Sequence, residues 1–345
     1  MELFDTLAAL ADLAGPSGRV QRVADAAQAL LGPYVDEVRQ DRMHNLMGIR
    51  RCGRENAPMV LLDAHLDEVG FIVTGHDEGF LRFTTLGGVD ARVMPGRELT
   101  LMTPTEGFGV VAVKPPHVLT AEEREKAQTM DELRIDVGLT QEEAQRRYPV
   151  GTTAVYREKL KRLLGTRVAG KALDDRACFV LLLRTMDILK DETLDVDLCV
   201  LGSNNEEPGG EGATIAAFQI NPACAVAVDV TFATQPGVGK DEAFPLGCGG
   251  IIGVGPNMAR WMTARMEETA KRENLPYARE IMSGNTGTNG WDIQVAREGI
   301  ATQVYSIPLR NMHTPVEVID LEDIEQGAQL LAAFLRNIGK EALGC

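Results

Sequence analysis

Met59-Val60-Leu61-Leu62-Asp63-Ala64-His65-Leu66-Asp67 is the stretch that sets the fold. Its first half is apolar without alternation, the pattern of a strand covered on both faces rather than one with a wet side. The pattern predicts a strand over 59–64, with His65 at its carboxyl end. In open α/β sheets that edge is where ligands bind. Extended backbone alternates its side chains, so His65 and Asp67 face the same way.

The same arrangement recurs further along the chain. Asp229 closes the apolar run Ala225-Val226-Ala227-Val228, and a strand over 196–201 leads into Asn205-Glu206-Glu207-Pro208-Gly209-Gly210. A strand over 301–307 leads into Asn311-Met312-His313-Thr314, and Leu173-Asp174-Asp175-Arg176 opens a helix reaching about 190. Helical spacing of apolar residues marks further helices over 3–13, 20–31, 213–219, 257–273 and 321–338. Strands alternating with helices predict an α/β core, a mostly parallel sheet with helices on both faces.

Residues 68–165 read differently. Short β-like pieces over 71–74, 81–85, 98–102, 107–113 and 133–137 are broken by glycine and proline, with charged helical pieces near 120 and 140–147. This predicts a β-rich domain at 68–165, inserted into a catalytic domain made of 1–67 and 166–345. Two of the histidine and carboxylate stretches flank the insertion, so its ends must lie close together.

With 345 residues, the chain has room for one large domain or two ordinary ones. A net charge of −15 argues against nucleic acid or an anionic membrane as partner, since both require basic patches. The densest apolar run, 177–183, is too short to span a bilayer and ends at Arg184. The six cysteines (Cys52, Cys178, Cys199, Cys224, Cys248 and Cys345) form no C-x-x-C pair, and the amino terminus lacks the pattern of a signal peptide. They read as reduced thiols of a cytoplasmic protein.

Taken singly, each charged stretch has an ordinary explanation. Asp174 could cap a helix, Asp229 could cap a strand end, and Glu206-Glu207 could be a solvated turn. Taken together, two imidazoles and several carboxylates at strand ends form the inventory of a two-metal hydrolase. Asp67 is spaced to fix the tautomer of His65, and Asp174 could bridge two cations through its two oxygens. One member of the Glu206-Glu207 pair could hold metal while the other serves as general base. Histidine and carboxylate donors without cysteine suit two divalent ions, zinc or cobalt first and manganese next. Glycosidases rely on two carboxylates without metal, so the two histidines speak against that chemistry.

At these residues the chain resembles the tetrahedral or glutamyl-type dinuclear metallo-aminopeptidases. The likeness runs nearly end to end: Gly15-Pro16-Ser17-Gly18, Ala64-His65-Leu66-Asp67-Glu68-Val69-Gly70, Lys114-Pro115-Pro116-His117, Lys171-Ala172-Leu173-Asp174-Asp175-Arg176, Glu206-Glu207 and Met312-His313-Thr314-Pro315-Val316-Glu317. The resemblance implies that His65, Asp174 and Asp229 hold one ion and Asp174, Glu207 and His313 the other. It implies Glu206 as general base and acid, Asp67 as orienter of His65, and hydrolysis of N-terminal residues from short peptides. It further implies that the inserted domain makes dimers, which assemble into a twelve-subunit tetrahedron. A dinuclear deacylase or carboxypeptidase, or a silent assembly protein on the same fold, stands as the alternative. Asn205, Glu211 and Asn289 depart from residues frequent in the family and leave substrate preference open.

Overall fold

The structure is a computed structural model and describes residues 1–239 and 242–339; Cys345 lies outside them. Helices α1 (Leu3–Ala11) and α2 (Gln21–Leu31) lead to strands β1 (Glu37–Gln40), β2 (Leu46–Arg50) and β3 (Met59–His65). Six short strands follow: β4 (Gly70–Asp77), β5 (Phe80–Leu86), β6 (Glu98–Leu101), β7 (Gly107–Ala112), β8 (Arg134–Asp136) and β9 (Thr153–Tyr156). The short helices α3 (Ala121–Arg124) and α4 (Gln141–Arg147) flank β8. Next come β10 (Lys161–Arg162), β11 (Arg167–Gly170), α5 (Leu173–Leu189), β12 (Asp197–Ser203) and α6 (Glu211–Ile220). Beyond them are β13 (Cys224–Phe232), β14 (Gly250–Val254), α7 (Arg260–Arg272), β15 (Tyr277–Ile281) and α8 (Gly290–Ile293). The chain closes with β16 (Ala301–Leu309), β17 (Glu317–Asp320) and α9 (Leu321–Arg336).

The main sheet has the order β1-β2-β12-β3-β13-β16-β14-β15. Its middle is parallel, through β12–β3, β3–β13 and β13–β16, and so is the β14–β15 edge. Pairings β1–β2, β2–β12 and β14–β16 are antiparallel. The sheet is therefore mixed, and the expected parallel character holds at its middle. The loop between β1 and β2 is too short for a crossover, which forces an antiparallel pair there.

Side-chain alternation divides the core. Val60, Leu62 and Ala64 of β3 join the cluster built with α1, α2, α5, α7 and α9, while Leu61 joins the cluster built with α6 and α8. Strand β12 divides likewise, Leu198 and Val200 to the first cluster, Cys199 and Leu201 to the second. Helices thus cover both faces, which is why these strands carry no polar face. Each buried Leu or Val here contributes about 1.5–3 kcal/mol of transfer free energy.

Strands β4-β5-β8-β7-β6-β9 form a closed barrel with its own core around Phe71, Phe83, Leu99, Ile135 and Tyr156. Phe71 meets Phe83 and Tyr156 edge-on, with ring centroids 5.6 and 5.3 Å apart. The entering and leaving strands are neighbours, with Phe71 opposite Ala154. A third, small sheet, β10-β11-β17, sets Gly170 opposite Glu317 beside the start of α5. Strands β1, β9, β10, β11, β14, β15 and β17 were not legible in the sequence; most are short and half-exposed.

Candidate metal centre

Register builds the site. Ser203 of β12 lies opposite His65, Ala227 of β13 opposite Asp63, and Ser306 of β16 opposite Asp229. Three parallel strands therefore deliver their charged residues to one edge. Asp229 projects from within β13 and does not end the strand, since pairing to β16 continues to Phe232. The backbone at Asp174 and Asp175 is not helical, the peptide between them is cis, and no capping bond is made. Asp174 turns its two oxygens toward His65 and His313 instead of capping α5.

The structure brings all seven predicted residues together. His65 Nε2 lies 3.1 Å from Asp174 Oδ1 and 3.7 Å from Glu206 Oε2. His313 Nε2 lies 3.3 Å from the other oxygen, Asp174 Oδ2, and 3.5 Å from Glu207 Oε2. Asp174 therefore spans the two imidazoles with its two oxygens. Two sets of candidate metal-donor atoms lie within 4.8 Å of one another: His65, Asp175 and Asp229, and His65, Asp174 and Glu207. Asp67 sits behind them, with its backbone oxygen 3.0 Å and its carboxylate 3.6 Å from His65 Nδ1. The same carboxylate accepts from Ser17 Oγ at 2.7 Å and from the backbone N–H of Glu206 at 3.2 Å and Glu207 at 3.4 Å. It fixes the acidic pair as well as the histidine.

Further residues hold the edge in place. Glu317 Oε2 accepts from the backbone of Leu173 at 2.8 Å and Asp174 at 3.2 Å, and Oε1 accepts from His313 N at 2.8 Å. Both Asp174 and His313 thus hang from one buried carboxylate. Asp175 Oδ2 accepts from His65 N at 3.1 Å. Beneath the edge, Glu68 pairs with Lys171 at 2.9 Å and Arg176 at 3.0 Å, all three buried. From the barrel, the Gly88 carbonyl oxygen lies 2.6 Å from His313 Nδ1. Gly87 beside it has φ +86, and a Cβ there would meet Glu207 Oε2 at 3.0 Å, so a side chain is both strained and crowded.

Without a cation this cluster is electrostatically unfavourable. Burial pushes Glu206 up to about 7, with Asp174, Asp67 and Asp63 adding to the rise. Burial likewise raises Glu207, Asp175 and Asp229 well above the usual carboxylate range. For His65 burial opposes the charge, but bonds to Asp174 and Asp67 outweigh it and hold the imidazole well above its ordinary value. His313 responds the same way, pushed up to about 10, chiefly by Asp174 once burial is overcome. Asp174, despite burial, is held below the carboxylate range by the two histidines. Among the described residues no lysine or arginine pairs with these carboxylates, and Glu207 Oε1 and Asp175 Oδ1 have no partner. Buried, clustered oxygens of this kind fit a divalent cation, which lowers every one of these penalties.

A sequence model of the M42 glutamyl aminopeptidase family matches residues 45–330, more than half of the chain. The chain belongs to the M42 glutamyl aminopeptidase family. It is a metal-dependent aminopeptidase. It is 33% identical over 323 residues to the lysyl aminopeptidase of Pyrococcus furiosus, covering 92% of this chain and 91% of that one. Among solved structures it is similar to aminopeptidase APDkam598 of the archaeon Desulfurococcus kamchatkensis, with TM-score 0.91 and 33% identity over 99% of this chain and 96% of that one. It is also similar to the Pyrococcus horikoshii TET1 peptidase, which can assemble into a tetrahedron or a large octahedral shell. That match has TM-score 0.85 and 26% identity over 97% of this chain and 100% of the other.

Two site residues of this M42 enzyme escaped the sequence reading. Asp175 forms a doublet with Asp174, the same signal that drew attention to Glu206-Glu207. Glu317 follows His313 at a spacing of H-x-x-x-E, which places a carboxylate on β17 just past the histidine turn. His44 and His117 are exposed, and His76 bonds the Tyr148 carbonyl in the barrel at 2.8 Å, so none joins the centre.

Proposed function

We propose that the enzyme removes N-terminal residues from short peptides, using two divalent ions per chain. The observation that carries this reading is Asp174 facing His65 with one oxygen and His313 with the other. On this reading His65, Asp174 and Asp229 hold one ion and Asp174, Glu207 and His313 the other. Imidazole and carboxylate donors without thiolate support zinc or cobalt, with manganese next. When bound, the ions would polarise the scissile carbonyl and make an attacking water more acidic.

The remaining work belongs to side chains of this chain. Glu206 takes the proton from the water and returns it to the departing amine; its carboxylate, 3.7 Å from His65 Nε2 at the edge of the cavity, is placed for this double role. Asp67 holds the backbone of Glu206 and Glu207 and keeps His65 in one orientation, so neither must reorganise during turnover. The cavity of about 510 Å³ beside these groups has room for a residue at the peptide's end.

We further propose a catalytic domain of 1–67 plus 166–345 around an inserted domain of 68–165 that makes dimers. The closed barrel with its own core supports this division. A solved relative that is a dodecamer, and one that can assemble into a tetrahedron, support a twelve-subunit tetrahedron built from such dimers. The unpaired cysteines support action in the cytoplasm. Light scattering tests the assembly: particles near twelve chains are expected, and an active monomer of 37.4 kDa would contradict it.

The activity is tested with leucine p-nitroanilide and its N-acetyl form, before and after chelation and refilling with zinc, cobalt or manganese. Cleavage of the free amine only, lost on chelation and regained on refilling, is expected. Equal release of p-nitroaniline from the acetylated compound would contradict the need for a free amine, and release of acetate with the anilide left intact would indicate a deacylase instead.

A further inference from the structure

The cavity beside the metal centre is also lined by Gly210, Thr288, Trp291 and Asp292, none of which the mechanism uses. Asp292 Oδ2 occupies the space that a side chain on Gly210 would need, and Asn289 Oδ1 lies 3.4 Å from the same point. Asn289 is 3% exposed, and its amide nitrogen donates to Asp63 Oδ2 at 2.8 Å and Ser203 Oγ at 2.9 Å. Those two bonds fix the amide, so its oxygen is turned toward Gly210. That oxygen has no partner among the described residues. A buried carbonyl left open costs free energy unless a donor arrives.

The surroundings offer no such donor. Glu211 sits one residue past Gly210, with Oε1 2.8 Å from where a Cβ on Gly209 would lie. Among the described residues no lysine or arginine lines the cavity, and neither Asp292 nor Glu211 has an ion-pair partner. Burial raises the Asp292 carboxyl, and Glu211 adds to the rise. Glu211 lies in the first turn of α6, where a carboxylate complements the helix dipole. That accounts for Glu211 and leaves the open oxygen of Asn289 unexplained.

We infer that Asp292, Glu211 and Asn289 form a subsite for a basic side chain, so that the enzyme prefers peptides beginning with lysine or arginine. The inference rests on the aminopeptidase reading above. An ammonium or guanidinium group in the cavity donates to Asp292, which lines it. Glu211 and the Asn289 oxygen, behind Gly209 and Gly210, add to the attraction, and the aliphatic stem can lie along Trp291. An acidic N-terminal residue meets two like charges and is rejected.

The test compares kcat/KM for the p-nitroanilides of lysine, arginine, leucine and glutamate in wild type, Asp292→Asn and Glu211→Gln. Wild type should favour lysine and arginine over leucine by at least ~10-fold, with glutamate last. Asp292→Asn should cut the basic-to-leucine ratio by ~10-fold or more, the loss expected of a charge-assisted bond. Glu211→Gln should lower the same ratio by less. Calorimetric titration of the metal-loaded Glu206→Gln variant, which cannot turn them over, with L-lysinamide and L-leucinamide should show the same ranking in binding. A wild type indifferent to side-chain charge would overturn the subsite. So would an Asp292→Asn variant that loses all four amides equally, because the carboxylate would then be holding the α-amine common to every substrate. A variant with lower thermal stability and an unchanged ratio would show a purely structural role and overturn it as well. If no anilide is cleaved, the aminopeptidase reading fails, and the calorimetric ranking still decides whether the subsite prefers a cation.

Discussion

Strands β3, β12, β13 and β16 of the sheet are buried along nearly their whole length, yet they and the turns that follow carry both histidines and most of the acids. Strands β5 and β7 of the barrel alternate buried with half-exposed residues, and their buried set is apolar. Buried charge is costly, and the sheet bears it only where strand register and the Glu317 and Asp67 carboxylates hold each group in place. The barrel touches the centre through backbone, with the Gly88 carbonyl at His313 and the bare Gly87 beside Glu207. Chemistry is concentrated in one region, and the other walls it. Mutations in the two regions should therefore fail in different ways.

The largest effect is expected at Glu206. Glu206→Gln keeps the shape but cannot take a proton, so kcat should fall by ~10²–10⁴-fold while metal content stays unchanged. Glu207→Gln should instead lose metal, and exchanged phenotypes would reverse the two assignments. In the barrel, Phe71→Ala removes a fully buried ring packed edge-on against two others and should cost ~3–5 kcal/mol of stability. Chemical denaturation measures the loss, and the folded variant should still carry its metal. Metal lost in step with barrel stability would erase the distinction between the regions.

Glu317→Ala tests the support beneath the centre. It removes the acceptor shared by Asp174 and His313 and should weaken metal affinity by ~10–100-fold, read by competition with a chelator of known affinity. Unchanged affinity would mean that the strands alone position the site.

The smallest effect is in pH. In metal-free protein the folded pKa of Asp63 is raised to about 6 and that of Glu206 to about 7, each chiefly by burial. A raised folded pKa contributes stability below the unfolded value that is lost as pH rises through the folded one. Metal-free protein should therefore lose stability between pH ~4 and ~7, and refilling with metal should flatten that slope. The barrel core has no buried carboxylate and should show no matching change in its local hydrogen exchange. A slope that survives refilling would place its source outside the centre.

Much of the sheet side could be read in the sequence, because apolar runs ending in Asp, Glu or His are rare and physically demanding. His65, Glu206, Glu207, Asp229 and His313 all come from such ends or from the turns beside them, and Asp174 from the start of a helix. The reading stopped where position depends on distant pairing. Asp229 lies inside β13 because β16 extends the ladder past it, a fact held by residues about 80 away in sequence. Glu317 shows its role only once β17 pairs with β11 next to Asp174. Five of the six barrel strands were found, β9 being missed, but nothing in their composition could show that a glycine carbonyl would reach His313.

The central claim is that one edge of the sheet holds two divalent ions bridged by Asp174. Metal analysis of wild type and Asp174→Ala, after dialysis against metal-free buffer, tests it most directly. Two ions per chain in wild type and neither retained in Asp174→Ala are expected. An Asp174→Ala protein that still holds two ions would contradict the account.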